Sequence, residues 1–218
     1  MEIIAILEAL QTDFSFDSAE HVYRDKRGRR VSWAAVRSLL LQVTRSAEAE
    51  MVALSRSLVS GDTDLASWQR EMLFRIKTLH LISKAVAHGG FQQLAPADYG
   101  QVGGILAREY RFLQRFATQI EEGAPLDGRV IQRTRLYARA TSNTYFLAMR
   151  DAFRKKGFDE ERSRLRPAEH CEQCVGEEEK SWQGLGDMVP IGARTCLRNC
   201  RCVFEFRNSR TSEVAGPF

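Results

Sequence analysis

Cysteine is missing from the first 170 residues, and all five cysteines of the 218-residue chain crowd into residues 170–206. Whatever thiol chemistry the protein has therefore belongs to that one stretch. Long apolar runs are missing as well, since none approaches the roughly 18 residues of a membrane helix. The opening, MEIIAILEALQTD, has Glu2 where a secretory leader would be basic, and it lacks a small-residue cleavage site. Synthesis in a cytoplasm with reduced thiols is the expectation, with no membrane partner. Charge of one sign is scarce too: 32 Lys and Arg face 28 Asp and Glu, a net +4. That balance does not by itself diagnose nucleic-acid binding, although local patches can matter.

The signatures of catalysis are absent. There is no Gly-x-Ser-x-Gly, no Walker loop and no His-Glu-x-x-His. The GQVGG run ending at Gly104 follows no strand, so it is not a dinucleotide fingerprint; Gly103 and Gly104 suggest close helix packing instead. The nucleobase deaminase signature also uses a CxxC, but it requires a proline immediately before it, and here that place holds His170. Glu121-Glu122 and the run Glu177 to Glu179 fall on loops or helix ends, where solvated charge is the default. No enzymatic activity is expected.

What is present is a 44% hydrophobic chain, enough for a real core, with mainly helical periodicity. Residues 2–11 place Ile3, Ile4, Ile6, Leu7 and Leu10 on a short amphipathic helix. The segment FSFDSAEHVYRDKRGRRVSW then alternates and turns at Lys26-Arg27-Gly28, which predicts a β-hairpin. Its tip carries Arg24, Lys26, Arg27, Arg29 and Arg30, either a solvated turn or a basic finger touching DNA or an acidic partner.

Four long helices follow. Ser32 is placed to cap the first, with Val36, Leu40, Val43, Met51 and Leu58 recurring at three and four, and Gly61 stops it. Asp62 or Asp64 caps the second, which carries Trp68, Met72, Ile76 and Leu79 and ends at Gly89-Gly90. His80 and His88 lie on it without metal-spaced partners, so core packing or a C-terminal dipole contact is expected. The third runs from the region of Pro96 to about Glu122. The fourth, from about Asp127 to Lys156, is rich in arginine, including Arg133, Arg135, Arg139, Arg150 and Arg154; it reads as a nucleic-acid face or as an ordinary amphipathic helix.

The cysteines read Cys171-x2-Cys174, then 21 residues, then Cys196-x3-Cys200-x-Cys202. Two thiolates on a tight turn grip a tetrahedral Zn²⁺ from one side, and a second cluster closes the shell. Gly176, Gly184, Gly186, Pro190 and Gly192 make the intervening loop look too broken for a helix. A segment so small needs a staple, and metal binding can supply its folding free energy. Two disulfides with one free thiol is the rival reading. Which four of Cys171, Cys174, Cys196, Cys200 and Cys202 ligate stays open, with His170 the last choice. The alternation of NCRCVFEF places Cys200, Cys202, Phe204 and Phe206 on one face of a strand.

The order C-x2-C, a Gly/Pro-containing loop, then Asn199-Cys200-Arg201-Cys202 and a short apolar strand resembles the C-terminal zinc motif of the phage head morphogenesis proteins, the minor head proteins similar to the F protein of phage Mu. The resemblance covers about residues 130–206. Many members read His-Pro-x-Cys-Arg-Cys in the second half; here Cys196 stands near the histidine's place, one residue further out. The resemblance implies a virion protein in several copies, made in the host cytoplasm, with a structural zinc. Its implied partners are the portal, the major capsid protein and packaged DNA. The alternative is a zinc-knuckle nucleic-acid-binding regulator. The expected architecture is mainly α: a bundle of about four long helices with an N-terminal β-hairpin and a small C-terminal zinc-stapled α+β module. Residues 1–60 would hold the first helix, hairpin and first long helix, 61–160 the helical body, 161–206 the zinc module and 207–218 a mobile tail.

Overall fold

The computed structural model describes residues 14–20, 22–196 and 200–216. The amphipathic helix expected over residues 2–11 lies outside them. Among the described residues the protein is mainly helical, with two small antiparallel sheets.

The long helices are α1 (Trp33–Ser60), α2 (Leu65–His88), α3 (Pro96–Glu121) and α4 (Gly128–Lys155). Their ends follow from local chemistry. Ser32 Oγ accepts from Ala35 N at 3.2 Å, and Asp64 Oδ1 accepts from Ser67 N at 2.8 Å. Each satisfies a backbone donor that the first helical turn leaves without a partner. Pro96 opens α3, where Asp98 reaches back to Ala95 N at 2.9 Å. Gly61 ends α1 at φ 83°, a left-handed conformation that costs glycine little.

Helix α2 packs along α4, α3 and α1, while α1 also lies along α4. Their apolar stripes meet in a core where Met51, Trp68, Met72, Ile76, Leu79 and Leu113 are fully buried. No helix among the described residues is long and apolar enough to cross a membrane. His80 is core-packed, its Nδ1 2.7 Å from Thr144 Oγ1. His88, at the end of α2, is also buried. Burial and then Lys84 hold its pKa down at about 4, so it stands neutral and makes no charged dipole contact. Gly103 and Gly104 are exposed, and a Cβ at either would meet nothing within 4 Å. The expected close helix packing there is absent.

The N-terminal element is a three-stranded meander, one strand more than the hairpin expected: β1 (Phe14–Asp17), β2 (Val22–Asp25) and β3 (Arg30–Val31). Tyr23 hydroxyl donates to Val86 O at 2.7 Å, docking the sheet on the end of α2. Gly89 makes the fit possible, since a Cβ there would lie 2.3 Å from the Phe16 ring.

The second sheet has the order β5-β4-β6-β7, built from β4 (Glu160–Arg164), β5 (Gln183–Gly184), β6 (Val203–Arg207) and β7 (Val214–Ala215). Strand β6 begins at Val203, so Cys200 and Cys202 both lie outside it, and of the four residues expected to share a strand face only Phe204 and Phe206 are in the strand. The tail expected to be mobile instead returns as β7, with Phe206 opposite Ala215 and Arg207 opposite Val214. Nor does the glycine-broken loop stay free of helix: α5 (Glu172–Glu179) occupies its start. Gly176 sits inside this short helix, whose C-terminal end is held by tertiary contacts that override its low propensity. Glu178 Oε1 accepts from Leu165 N at 3.0 Å, and buried Glu177 accepts from Val189 N at 3.2 Å.

The C-terminal module shares the core of the bundle. Phe153 of α4 stacks on Phe206 of β6 at 4.3 Å between centroids, and Phe146 meets Phe204 edge-on at 5.8 Å. Beside them Arg150 and Glu161, both buried, form a bidentate pair with bonds of 2.6 and 2.7 Å. Arg150 also donates to Met188 O at 2.7 Å. That arginine binds the module to the bundle and is not part of any exposed basic face.

Candidate metal centre

Helix α5 starts at the first cysteine pair. Cys171 occupies its N-cap position and Cys174 its third residue, with Cys174 N donating to Cys171 O at 2.9 Å. The tight first turn thereby brings both sulfurs to one end of the helix. The segment leading into β6 carries Cys200 and Cys202 to the same place. Cys196 is held by a clamp: Gln173 Oε1 accepts from Thr195 N at 2.8 Å and from Thr195 Oγ1 at 3.0 Å.

All five cysteines are free thiols, and they converge. Cys174 Sγ lies 3.5 Å from both Cys196 Sγ and Cys200 Sγ. The donor atoms of Cys171, Cys174 and Cys196 all lie within 4.8 Å of one another, and so do those of His170, Cys174 and Cys202. Cys174 is the hub of both groups. Tetrahedral coordination at Zn–S bonds of about 2.3 Å puts neighbouring sulfurs about 3.8 Å apart. The 3.5 Å separations fall just inside that spacing and the 4.8 Å bound of the wider groups lies outside it, so small shifts of these thiols around a cation would meet it.

His170 is the surprise. It was the last choice on spacing, yet its Nδ1 stands 3.7 Å from Cys202 Sγ. Its Nε2 is 2.6 Å from Arg166 O. A carbonyl only accepts, so Nε2 carries the proton and Nδ1 presents its lone pair to the cluster. Metal-ligating histidines are commonly oriented by such a second bond.

The electrostatics are those of a crowded thiol set. A hydrogen bond from Cys202 holds Cys200 down at about 5 despite burial. Burial works to raise Cys171, but its bonds with Cys174 outweigh this and leave it at about 7. Burial pushes Cys174 and Cys196 up, and the bond with Cys200 followed by burial pushes Cys202 up. Two low and three high thiols mean that the cluster cannot hold all its negative charge unaided. A bound cation would deprotonate the coordinating thiols outright.

Arg194 gives a further reason that the residues fit a metal thiolate. It is fully buried, donates to Val189 O at 3.1 Å and to Ser163 Oγ at 2.8 Å, and leaves Nη2 without a hydrogen-bond partner. It also lies beside Cys174, whose thiolate it favours. Four thiolates on a divalent ion leave net negative charge, and a buried guanidinium is the natural counter-charge. No sequence spacing points to Arg194; only the fold brings it there.

The basic cluster of the meander is largely neutralised within its own sheet. Arg24 pairs with Asp17 at 3.0 Å and Glu20 at 2.7 Å, Arg29 with Asp25 at 2.7 Å, and Arg30 with Glu20 at 2.7 Å. Lys26 and Arg27 are exposed at the turn.

No family model, curated protein or solved structure matches this chain. The side chains themselves therefore carry the functional reading.

Proposed function

We propose that this protein is a structural component of a bacteriophage head: a minor, capsid- or portal-associated protein acting in head assembly and DNA packaging or delivery, with a structural zinc in its C-terminal module. The observation that carries the reading is the convergence of Cys171, Cys174, Cys196 and Cys200 or Cys202 at one point, in the segment that resembles the minor head proteins. Thiolates suit zinc among the available divalent ions, and a thiolate-filled shell leaves no open position for a substrate or an activated water. The ion's part is to tie α5 to β6. The chain's own residues do the rest: Gln173 fixes the Cys196 segment, His170 closes one side and Arg194 balances charge.

Exposed Phe74, Phe112 and Leu136 stand on α2, α3 and α4, and they offer apolar surface for neighbours in an assembled shell. The test is mass spectrometry of purified DNA-filled heads from a host producing this protein with its phage. Its presence at a fixed low stoichiometry supports the reading. Its absence from the particles, with abundant free protein in the lysate, overturns it.

A further inference from the structure

The electrostatics of the meander send the search for an anion-binding surface elsewhere. Of the basic residues first singled out, Arg24, Arg29 and Arg30 pair with Asp17, Asp25 and Glu20 of the same meander. A second basic concentration lies between α1 and α4, in a groove of about 520 Å³ that ends against the metal module. Its cations are Arg37, Arg45, Arg56, Arg135, Arg139 and Arg201; its one carboxylate is Glu48, and the Cys200 thiol also lines it. Glu48 is taken by Arg139 at 2.9 Å and Arg135 at 3.7 Å. Among the described residues no carboxylate pairs with Arg37, Arg45, Arg56 or Arg201.

Arg37 is the informative member. Its guanidinium lies 5.1 Å over the Phe146 ring, and burial lowers its pKa. Held against an aromatic face, partly desolvated and paired with no carboxylate among the described residues, this guanidinium has the nearby Cys200 thiol favouring its charge and can take a phosphate beside it. The cleft lined by Arg108, Arg111, Arg150 and Arg154 is a useful contrast. There Arg150 is spent on Glu161 and Arg154 on Asp151, so two of the four arginines lack a paired carboxylate among the described residues, against four of six in the α1–α4 groove.

The shape selects the ligand. Arg45 and Arg56 are eleven residues apart on α1, which at the helical rise is about 16 Å. A row of that length suits a linear series of phosphates better than a single ion. Single-strand binders add exposed aromatic platforms on which bases stack. Here Phe146, the one ring in the groove lining, is buried beneath Arg37. Arginine forks also match phosphate geometry bidentately.

We infer that the α1–α4 groove binds the phosphate backbone of double-stranded DNA without reading its sequence, through Arg37, Arg45, Arg56 and Arg201. Arg201 stands between Cys200 and Cys202, so the metal module fixes one end of the site. The inference rests on the virion reading only for the source of the duplex, and the two fail separately. Absence from heads removes the virion; absence of binding by the purified chain removes the groove.

The experiment is fluorescence anisotropy of a labelled 30-base-pair duplex of random sequence with the full-length, metal-loaded protein at several salt concentrations. Binding should weaken steeply as salt rises, because each phosphate contact releases counterions. Arg45→Glu with Arg56→Glu, both exposed positions, should lower affinity at least tenfold and reduce the salt slope by about 2. Arg27→Glu with Arg29→Glu should change affinity less than twofold. The inference is overturned by a larger effect of the meander variant, by an unchanged salt slope in the groove variant, or by a polyglutamate peptide that binds as well as the duplex. Tighter binding to a single strand of equal length would also overturn it.

Discussion

Cys174 is common to both donor groups and lies 3.5 Å from the sulfurs of Cys196 and of Cys200, the one cysteine in neither group. Cys174→Ser is accordingly expected to abolish stoichiometric zinc. His170→Ala should keep the metal but weaken its retention, read as faster transfer to a chromogenic chelator. Retention unchanged in both variants would remove these assignments. His88 supplies a separate prediction on pH. Its folded pKa of about 4 lies below the ordinary 6.5, so the unfolded chain takes up the proton first. Its contribution to stability is thus complete above about pH 6.5 and is lost as pH falls toward 4. His88→Gln should flatten the loss of melting temperature across that window; an unchanged slope would count against it.

At the scale of elements, the pair Arg150–Glu161 joins α4 to β4 inside the protein, and Glu161 also accepts from Gly186 N at 3.2 Å and Met188 N at 3.3 Å. Glu161→Gln leaves a buried guanidinium without its counter-charge, which typically costs about 3–5 kcal/mol. For a chain of this size that corresponds to a fall in Tm of roughly 10 °C. Replacing both by methionine should recover most of it, because burying two charges is itself costly. The helices were the legible elements: Ser32, Gly61, Asp64, Gly89 and Asp127 each mark an end by local backbone chemistry that needs no tertiary partner. Helix α5 was not legible. Its glycine and short length argue against a helix, and the contacts that hold it, from Leu165 N and Val189 N, come from residues remote in sequence. Cys171 and Cys174 could be placed on a turn from spacing, and His170 is their neighbour in sequence, whereas its approach to Cys202 and the presence of Arg194 come only from tertiary packing.

For the whole molecule, the continuity of the core matters most. Phe204 and Phe206 are fully buried against α4, so the cysteine-rich module and the helical bundle share one hydrophobic cluster. Phe206→Ala should cost about 3–5 kcal/mol, and the loss should appear in the helical signal of the entire chain. Removing the metal should likewise lower one cooperative transition. Two well-separated transitions on chelation would show that the module is an independent appendage. Basic side chains are spread over the surface, but their pairing is uneven: neutralised in the meander, unneutralised along α1. That distinction cannot be read from a net charge of +4.

The central claim is that four ligands drawn from the cysteine cluster build a closed structural metal site. Elemental analysis of the purified protein, with thiols counted before and after denaturation in a chelator, tests it most directly. The expected result is one zinc per chain, thiols protected in the native protein and all five cysteines titrating once the metal is removed. No metal with a single reactive thiol would mean two disulfides, and it would contradict the account at its root.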